Sequence, residues 1–141
     1  MKEINKLSSG ERFAIHFPWA TLMILVTIES ALTGFALPPL GLHFEDKIVH
    51  FIIFGLIGWL LVRAFTMESI NWLHQHRIGW AFLLGFLFAL SDEFHQAHVR
   101  GRDASWGDLL ADILGITFFI YYYTKKFKNG YPEIRISESR M

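Results

Sequence analysis

Polar residues are rare along most of this chain, and they bunch where apolar runs end. Four apolar stretches stand out, at residues 13–32, 48–65, 78–90 and 109–123. The first is interrupted by His16, Pro18 and Glu29. The second is unbroken over residues 51–62. The third turns polar at Ser91, Asp92 and Glu93, and the fourth encloses Asp112. A surface helix in water shows a polar face at the 3.6-residue period. Residues 51–62 and 78–90 show none, and a chain of 141 residues cannot hide four such helices on every side. That argues against a soluble four-helix bundle. A spanning helix needs about 17–25 residues, and all four stretches reach that length when their polar ends count as helix. The pattern predicts an all-α membrane protein with four transmembrane helices at about 13–32, 47–66, 77–98 and 105–124. These form one polytopic domain, 1–141.

Short links make sequential spans antiparallel neighbours in a bundle. Turn residues mark them: Pro38, Pro39 and Gly41, then Asn71, then Gly101. The polar tail from Asn129 is expected to fray. Lys2, Lys6 and Arg12 precede the first stretch, as in a signal peptide. The cleavage site around Glu29, Ser30 and Ala31 is poorly marked, so the first stretch is read as an uncleaved span.

Composition supports the membrane reading. Hydrophobic residues are 52% and charged residues 18%, against about 25% charged in ordinary soluble domains. Disorder and nucleic-acid binding are excluded as the main character of the chain. Cysteine is absent, which removes disulfides, thiolate metal sites and a cysteine nucleophile. Net charge is zero, but its distribution is not even. With both termini in the cytoplasm, ten of the thirteen Lys and Arg residues fall inside, and Lys47, Arg100 and Arg102 fall outside. Lys and Arg favour the cytoplasmic side. The acidic residues sort the other way, giving about +5 inside and −5 outside. His43, His50, His95 and His98 join the outer cluster.

Helical spacing decides which of these residues can meet. Asp46 and His50 are four apart, Lys47 and His50 three, and Glu93 and Gln96 three. Ser105, Asp108, Asp112 and Gly115 step by three, four and three along one stripe. The expected result is a polar pocket facing outward, lined by spans two to four and by Glu29. Intramembrane ionisable groups are costly and pair with one another. Asp46 and Asp108 also suit helix caps, and Ser105 to Asp108 fits a capping box. Glu93 stands where the helix dipole disfavours an anion, so Arg102 or Arg100 is its expected partner. Two readings stay open: a polar network that only holds the bundle together, and a working pocket.

The run Asp46-Lys47-Ile48-Val49-His50-Phe51 resembles the opening motif of the VanZ-like family. So does Asp92-Glu93-Phe94-His95-Gln96, followed by Gly101-Arg102, Ser105, Asp108 and Gly115. The resemblance covers about residues 46–115. It departs at Asp112, where the family usually has Asn, and at Val99-Arg100-Gly101-Arg102, where the family's Pro before Gly-Arg is missing. The resemblance implies a multi-pass protein of the bacterial cytoplasmic membrane. It also implies a link to glycopeptide (teicoplanin) resistance, from which the family takes its name.

Two functions of different class follow. In the first, the outer pocket binds an envelope lipid, a precursor or a glycopeptide, with Asp46, Lys47, Gln96, Arg102, Asp108 and Asp112 as binding residues. In the second, a small intramembrane enzyme acts on a lipid-linked envelope substrate. Glu93 and His50 are then the acid–base pair, Arg102 binds an anionic group, and Asp46, Asp108 and Asp112 are available to a divalent cation. A cation is allowed by this set and not required. A proton or ion pathway is disfavoured. Neither span two between His50 and Arg63 nor span four between Asp112 and Lys125 carries an ionisable group.

Overall fold

A computed structural model of the protein describes residues 7–32, 45–99 and 105–127. The chain order is α1 (Ser9–Ala31), α2 (Glu45–Met67), α3 (Asn71–Gln75), α4 (Arg77–Gln96) and α5 (Trp106–Lys126). There is no strand among the described residues. Three helices, α1, α2 and α4, are long and apolar enough to cross a membrane. The 21-residue α5 packs beside α2 and α4 but is less apolar, because Asp108, Asp112 and three consecutive tyrosines dilute it. The expected turns at Pro38, Pro39 and Gly101, the tail from Asn129, and Arg100 and Arg102 lie outside the described residues.

Local signals set the helix ends. The first helix starts four residues before the apolar run, because Ser8 and Glu11 form a capping box. Glu11 N–H donates to Ser8 Oγ at 3.3 Å, and Ser8 N–H donates to Glu11 Oε2 at 2.8 Å. The helix then runs through Pro18. The link expected as a turn between spans two and three contains the short α3 instead. Helix α4 ends at Gln96, two residues before the limit expected for the third span.

Helices α2 and α4 form the centre. Both contact α1 and both contact α5, while α1 and α5 do not touch among the described residues. Direction alternates along α1, α2, α4 and α5, so sequential long helices are antiparallel and α2 runs parallel to α5. That parallel pair is the most extensive contact in the fold. Gly58 of α2 and Gly115 of α5 allow it. A Cβ on Gly115 would collide with the carbonyl of Phe51, and one on Gly58 would lie 3.1 Å from the Cα of Ile116. Gly85 of α4 faces the same isoleucine, at 3.2 Å from its Cδ1. Small residues are how helices approach closely where lipid removes the hydrophobic drive.

The polarity of the bundle is inverted relative to a soluble protein. Phe13, Ile24, Leu25, Ile52, Leu87 and Leu114 are exposed, while Ser30, Asp112, Asp108 and Glu93 are buried. Exposed apolar surface on this scale marks an interaction surface, and lipid is the partner that covers every helix at once. Tryptophans mark both ends: Trp106 at one, and at the other Trp72 and Trp80, whose rings lie 5.0 Å apart. Such belts sit at membrane interfaces.

Gly115→Ala is expected to lower the thermal midpoint in detergent, at a cost of about 1–3 kcal/mol for the forced separation of α5 from α2. Gly79→Ala, where an added Cβ meets nothing, is expected to be neutral or to stabilise by up to about 1 kcal/mol. Equal melting of the two variants would show that α2 and α5 do not depend on close approach.

Candidate functional site

The first turns of α2 and α5 start at one end of the bundle, where α1 and α4 finish. This end collects most of the polar groups that the helical spacing had put in stripes. Parallel packing sets the pairs in order along α2 and α5: Lys47 meets Asp108, His50 meets Asp112, and Phe51 meets Gly115. Lys47 Nζ donates to Asp108 Oδ1 at 2.9 Å, and its distance to Asp46 Oδ2 is 3.9 Å. His50 Nδ1 lies 2.9 Å from Asp112 Oδ1, and Nε2 lies 4.0 Å from Asp46 Oδ1. Asp46 is largely exposed, with 67% of its side chain accessible, whereas Asp112 is at 0%. The site therefore runs from an accessible mouth at Asp46 and Lys47 to a closed floor at Asp112. Phe54 stacks under the imidazole, with a centroid distance of 6.0 Å.

Helix α4 contributes two carboxylates with different roles. Asp92 Oδ2 accepts from Gln96 Nε2 at 2.8 Å, the i,i+4 pair. Gln96 is thus buried at this end of the bundle and serves Asp92 rather than Glu93. Ser30 of α1 is buried close to the Asp92 carboxyl, its hydroxyl donating to the Thr27 carbonyl at 3.1 Å. Glu29 had been expected to line the site. It is exposed, and its neighbour Ser30, about 100° further round the helix, is the fully buried residue.

Glu93 Oε2 accepts from the backbone N–H of Ser105 at 3.0 Å. Ser105 is the N-cap of α5, and its hydroxyl accepts from Gly107 N–H at 3.1 Å. The expected capping box of Ser105 and Asp108 therefore does not form: the hydroxyl caps Gly107 rather than Asp108. A carboxylate from another helix takes the Ser105 N–H, which leaves Asp108 to pair with Lys47. The basic partner expected for Glu93, Arg102, lies outside the described residues. Two carboxylate oxygens within the site, Glu93 Oε1 and Asp112 Oδ2, are buried without a hydrogen-bond partner among the described residues.

The three aspartates considered for a cation do not converge as one set. Asp46, His50 and Asp108 form one group whose donor atoms lie within 4.8 Å of one another. His50, Glu93 and Asp112 form another. His50 stands between them and belongs to both.

A second polar cluster, at the opposite end, was not singled out from the sequence. Glu68 is 5% exposed. Its Oε2 faces His16 Nε2 at 3.2 Å, and its Oε1 faces Arg12 at 3.3 Å and accepts from Ser69 N–H at 2.8 Å. Trp19 Nε1 donates to His16 Nδ1 at 3.0 Å, so the proton of a neutral imidazole sits on Nε2 and points at Glu68. The i,i+4 spacing of Arg12 and His16 was the available signal. Burial pushes the Glu68 carboxyl up. The hydrogen bonds from His16 and Ser69 and the charge of Arg12 outweigh it, and the pKa falls below its ordinary 4.5. An apolar recess of about 240 Å³, lined in part by Phe65, Trp72, Trp80 and Leu87, lies nearby. It has no polar lining and stands apart from the His50 cluster.

Fold and composition together define an all-helical membrane protein with a buried cluster of ionisable groups at one end. The chain belongs to the VanZ/LLP1 family, whose model matches residues 2–127. No curated protein and no solved structure matches it.

Glu68→Gln is expected to destabilise the protein by about 1.5–3 kcal/mol at neutral pH, the scale of a hydrogen bond to a charged group. A depressed folded pKa stabilises fully above the unfolded value, near 4.5, and loses that contribution as pH falls through the folded value. Melting of the two proteins in detergent should therefore converge in acid. A difference that stays constant to pH 3 would show that Glu68 does not act through its charge.

Proposed function

We propose that the protein is a four-span component of the bacterial cytoplasmic membrane, with both termini in the cytoplasm. Its outward-facing polar cluster binds an amphiphilic envelope ligand: a lipid, a lipid-linked precursor or a glycopeptide of the teicoplanin type. The observation that carries this reading is the graded site. A charged pair, Lys47 and Asp108, joins an accessible mouth at Asp46 to buried acidic groups below. A headgroup reaching in from the outer leaflet would meet hydrogen-bonding groups there while its acyl chains stay against the exposed apolar faces of α2 and α5. Intramembrane ionisable residues that face inward are usually functional. The charge bias of the chain supports the orientation, since Arg12 and Arg77 lie at the Glu68 end and the acidic cluster at the other. Membership of the VanZ/LLP1 family supports the envelope setting, and the link to glycopeptide resistance rests on the resemblance.

A specific observation also favours the enzymatic reading. His50, Asp112 and Glu93 are within reach of one another, and a carboxylate that orients an imidazole beside a second carboxylate is a workable acid–base set. In this reading Glu93 and His50 would move protons on a lipid-linked substrate. Turnover of lipid-linked precursor by the purified protein, lost in His50→Gln, would establish it.

Two measurements test the main proposal. Cysteine is absent from the chain, so single cysteines report orientation. His98→Cys is expected to react with an impermeant maleimide in intact cells, and Gln75→Cys only after lysis; the reverse pattern would invert the topology. Substitutions at Lys47, His50, Glu93, Arg102, Asp108 and Asp112 are then scored for folded yield and for sensitivity to envelope-directed drugs. The proposal expects Lys47→Met and Asp108→Asn to keep most of the yield and lose the phenotype. Loss of yield at every position would reduce the cluster to a structural network.

A further inference from the structure

The floor of the polar cluster has a chemistry of its own. Three donors come from three helices: His50 from α2, Glu93 from α4 and Asp112 from α5. One ligand atom from each lies within 4.8 Å of the other two. Glu93 is 8% exposed and Asp112 fully buried. Each spends one carboxylate oxygen on a known partner, the Ser105 N–H and the His50 ring. Each keeps its other oxygen buried with no hydrogen-bond partner among the described residues. Buried carboxylates are normally paired or coordinate a metal, and two leftover oxygens at one junction of three helices call for a common positive occupant.

We propose that His50, Glu93 and Asp112 bind one divalent transition-metal cation at the junction of α2, α4 and α5. The donor set selects the class. One imidazole and two carboxylates suit ions such as Mn²⁺ or Zn²⁺, while Ca²⁺ takes six to eight oxygens. Metal–ligand distances of about 2.0–2.2 Å require the three donors to close slightly from their present spacing, a side-chain adjustment on rigid helices. The cation balances the two carboxylates and satisfies both orphan oxygens. The Ser105 N–H fixes Glu93 from behind, as outer partners orient metal ligands. Positions left open on the ion would be available to an oxygen of an incoming headgroup. Cation binding does not depend on the envelope-ligand reading and is measured without any such ligand.

The test uses the full chain purified in detergent, stripped with chelator and titrated with Mn²⁺ under electron paramagnetic resonance. The expected result is one saturable Mn²⁺ per chain, with hyperfine coupling to a single imidazole nitrogen and a rise in thermal midpoint on binding. Glu93→Gln and Asp112→Asn should each weaken binding by tenfold or more, on the scale of lost metal-site partners. Asp46→Asn should change it by less than about threefold, because Asp46 belongs to the other donor group. Absence of saturable binding by the wild-type chain would overturn the proposal and leave the two carboxyls sharing a proton. Binding without nitrogen coupling would overturn it too, and so would binding that is sensitive to Asp46→Asn and indifferent to Glu93→Gln. Should either buried variant fail to fold, the stoichiometry and nitrogen coupling of the wild-type chain decide alone.

Discussion

The structure depends on the close, parallel approach of α2 and α5. Parallel neighbours cannot be consecutive in a bundle of short links, so α4 must run back between them, and α1 is left to cover the other side. Gly115 against the Phe51 carbonyl sets the separation, with Gly58 and Gly85 around Ile116. The same contact sets the register. Once Phe51 faces Gly115, the matching turns above place His50 beside Asp112 and Lys47 beside Asp108. The polar site is in this sense a product of glycine packing. Two helices held apart by ordinary side chains would leave those charges exposed to lipid or to each other's apolar neighbours.

Lipid as solvent accounts for the inversion of polarity. In water, burying Asp112, Asp108 and Glu93 beneath a surface of Phe, Ile and Leu would forfeit stability twice, through desolvated charges and through exposed apolar area. In a bilayer, the outer apolar surface costs nothing, and the alternative for each carboxylate is hydrocarbon. Polar groups then draw together inside the bundle, as Asp92 does with Gln96 and Ser30. The bundle is polar at both ends, and the two ends differ in kind. Around Glu68, one anion is matched by Arg12, His16 and the Ser69 N–H. Around His50, carboxylates outnumber the cations that the described residues supply. The first cluster balances internally; the second leaves buried oxygen atoms over.

The apolar runs made the long helices legible, because a stretch without a polar face has few other interpretations. The stripe on α5 was legible from its steps of three and four residues, which put Ser105, Asp108, Asp112 and Gly115 on one face. Contacts between helices were not. Periodicity places a residue on a face but does not name what faces it, so Ser30 was passed over for its more conspicuous neighbour Glu29. Capping was misassigned for a related reason. A Ser followed three residues later by Asp satisfies the local pattern at 105–108, while the better carboxylate for that N–H arrives from α4. The true box at Ser8 and Glu11 went unnoticed because it lies ahead of the apolar run that drew attention to the helix. At the far end, Glu68 looked like a loop residue; its partners are 52 and 56 positions away and only folding reveals them.

Glu93 shows why a structural role and a functional one need not compete at this site. One of its oxygens supplies the missing half of the α5 cap, and the other is left over beside Asp112. The first bond stabilises the start of α5, and that start carries Asp108 and Asp112 into position. The second oxygen is oriented by the first, since a carboxylate held at one atom has little freedom at the other. A carboxylate at this place costs stability through burial and through its position at the C-terminal end of α4. A neutral acceptor would serve the cap without that cost. The charge is therefore in excess of what the cap requires, and the cap bond is also what aims that charge at the junction of the three helices.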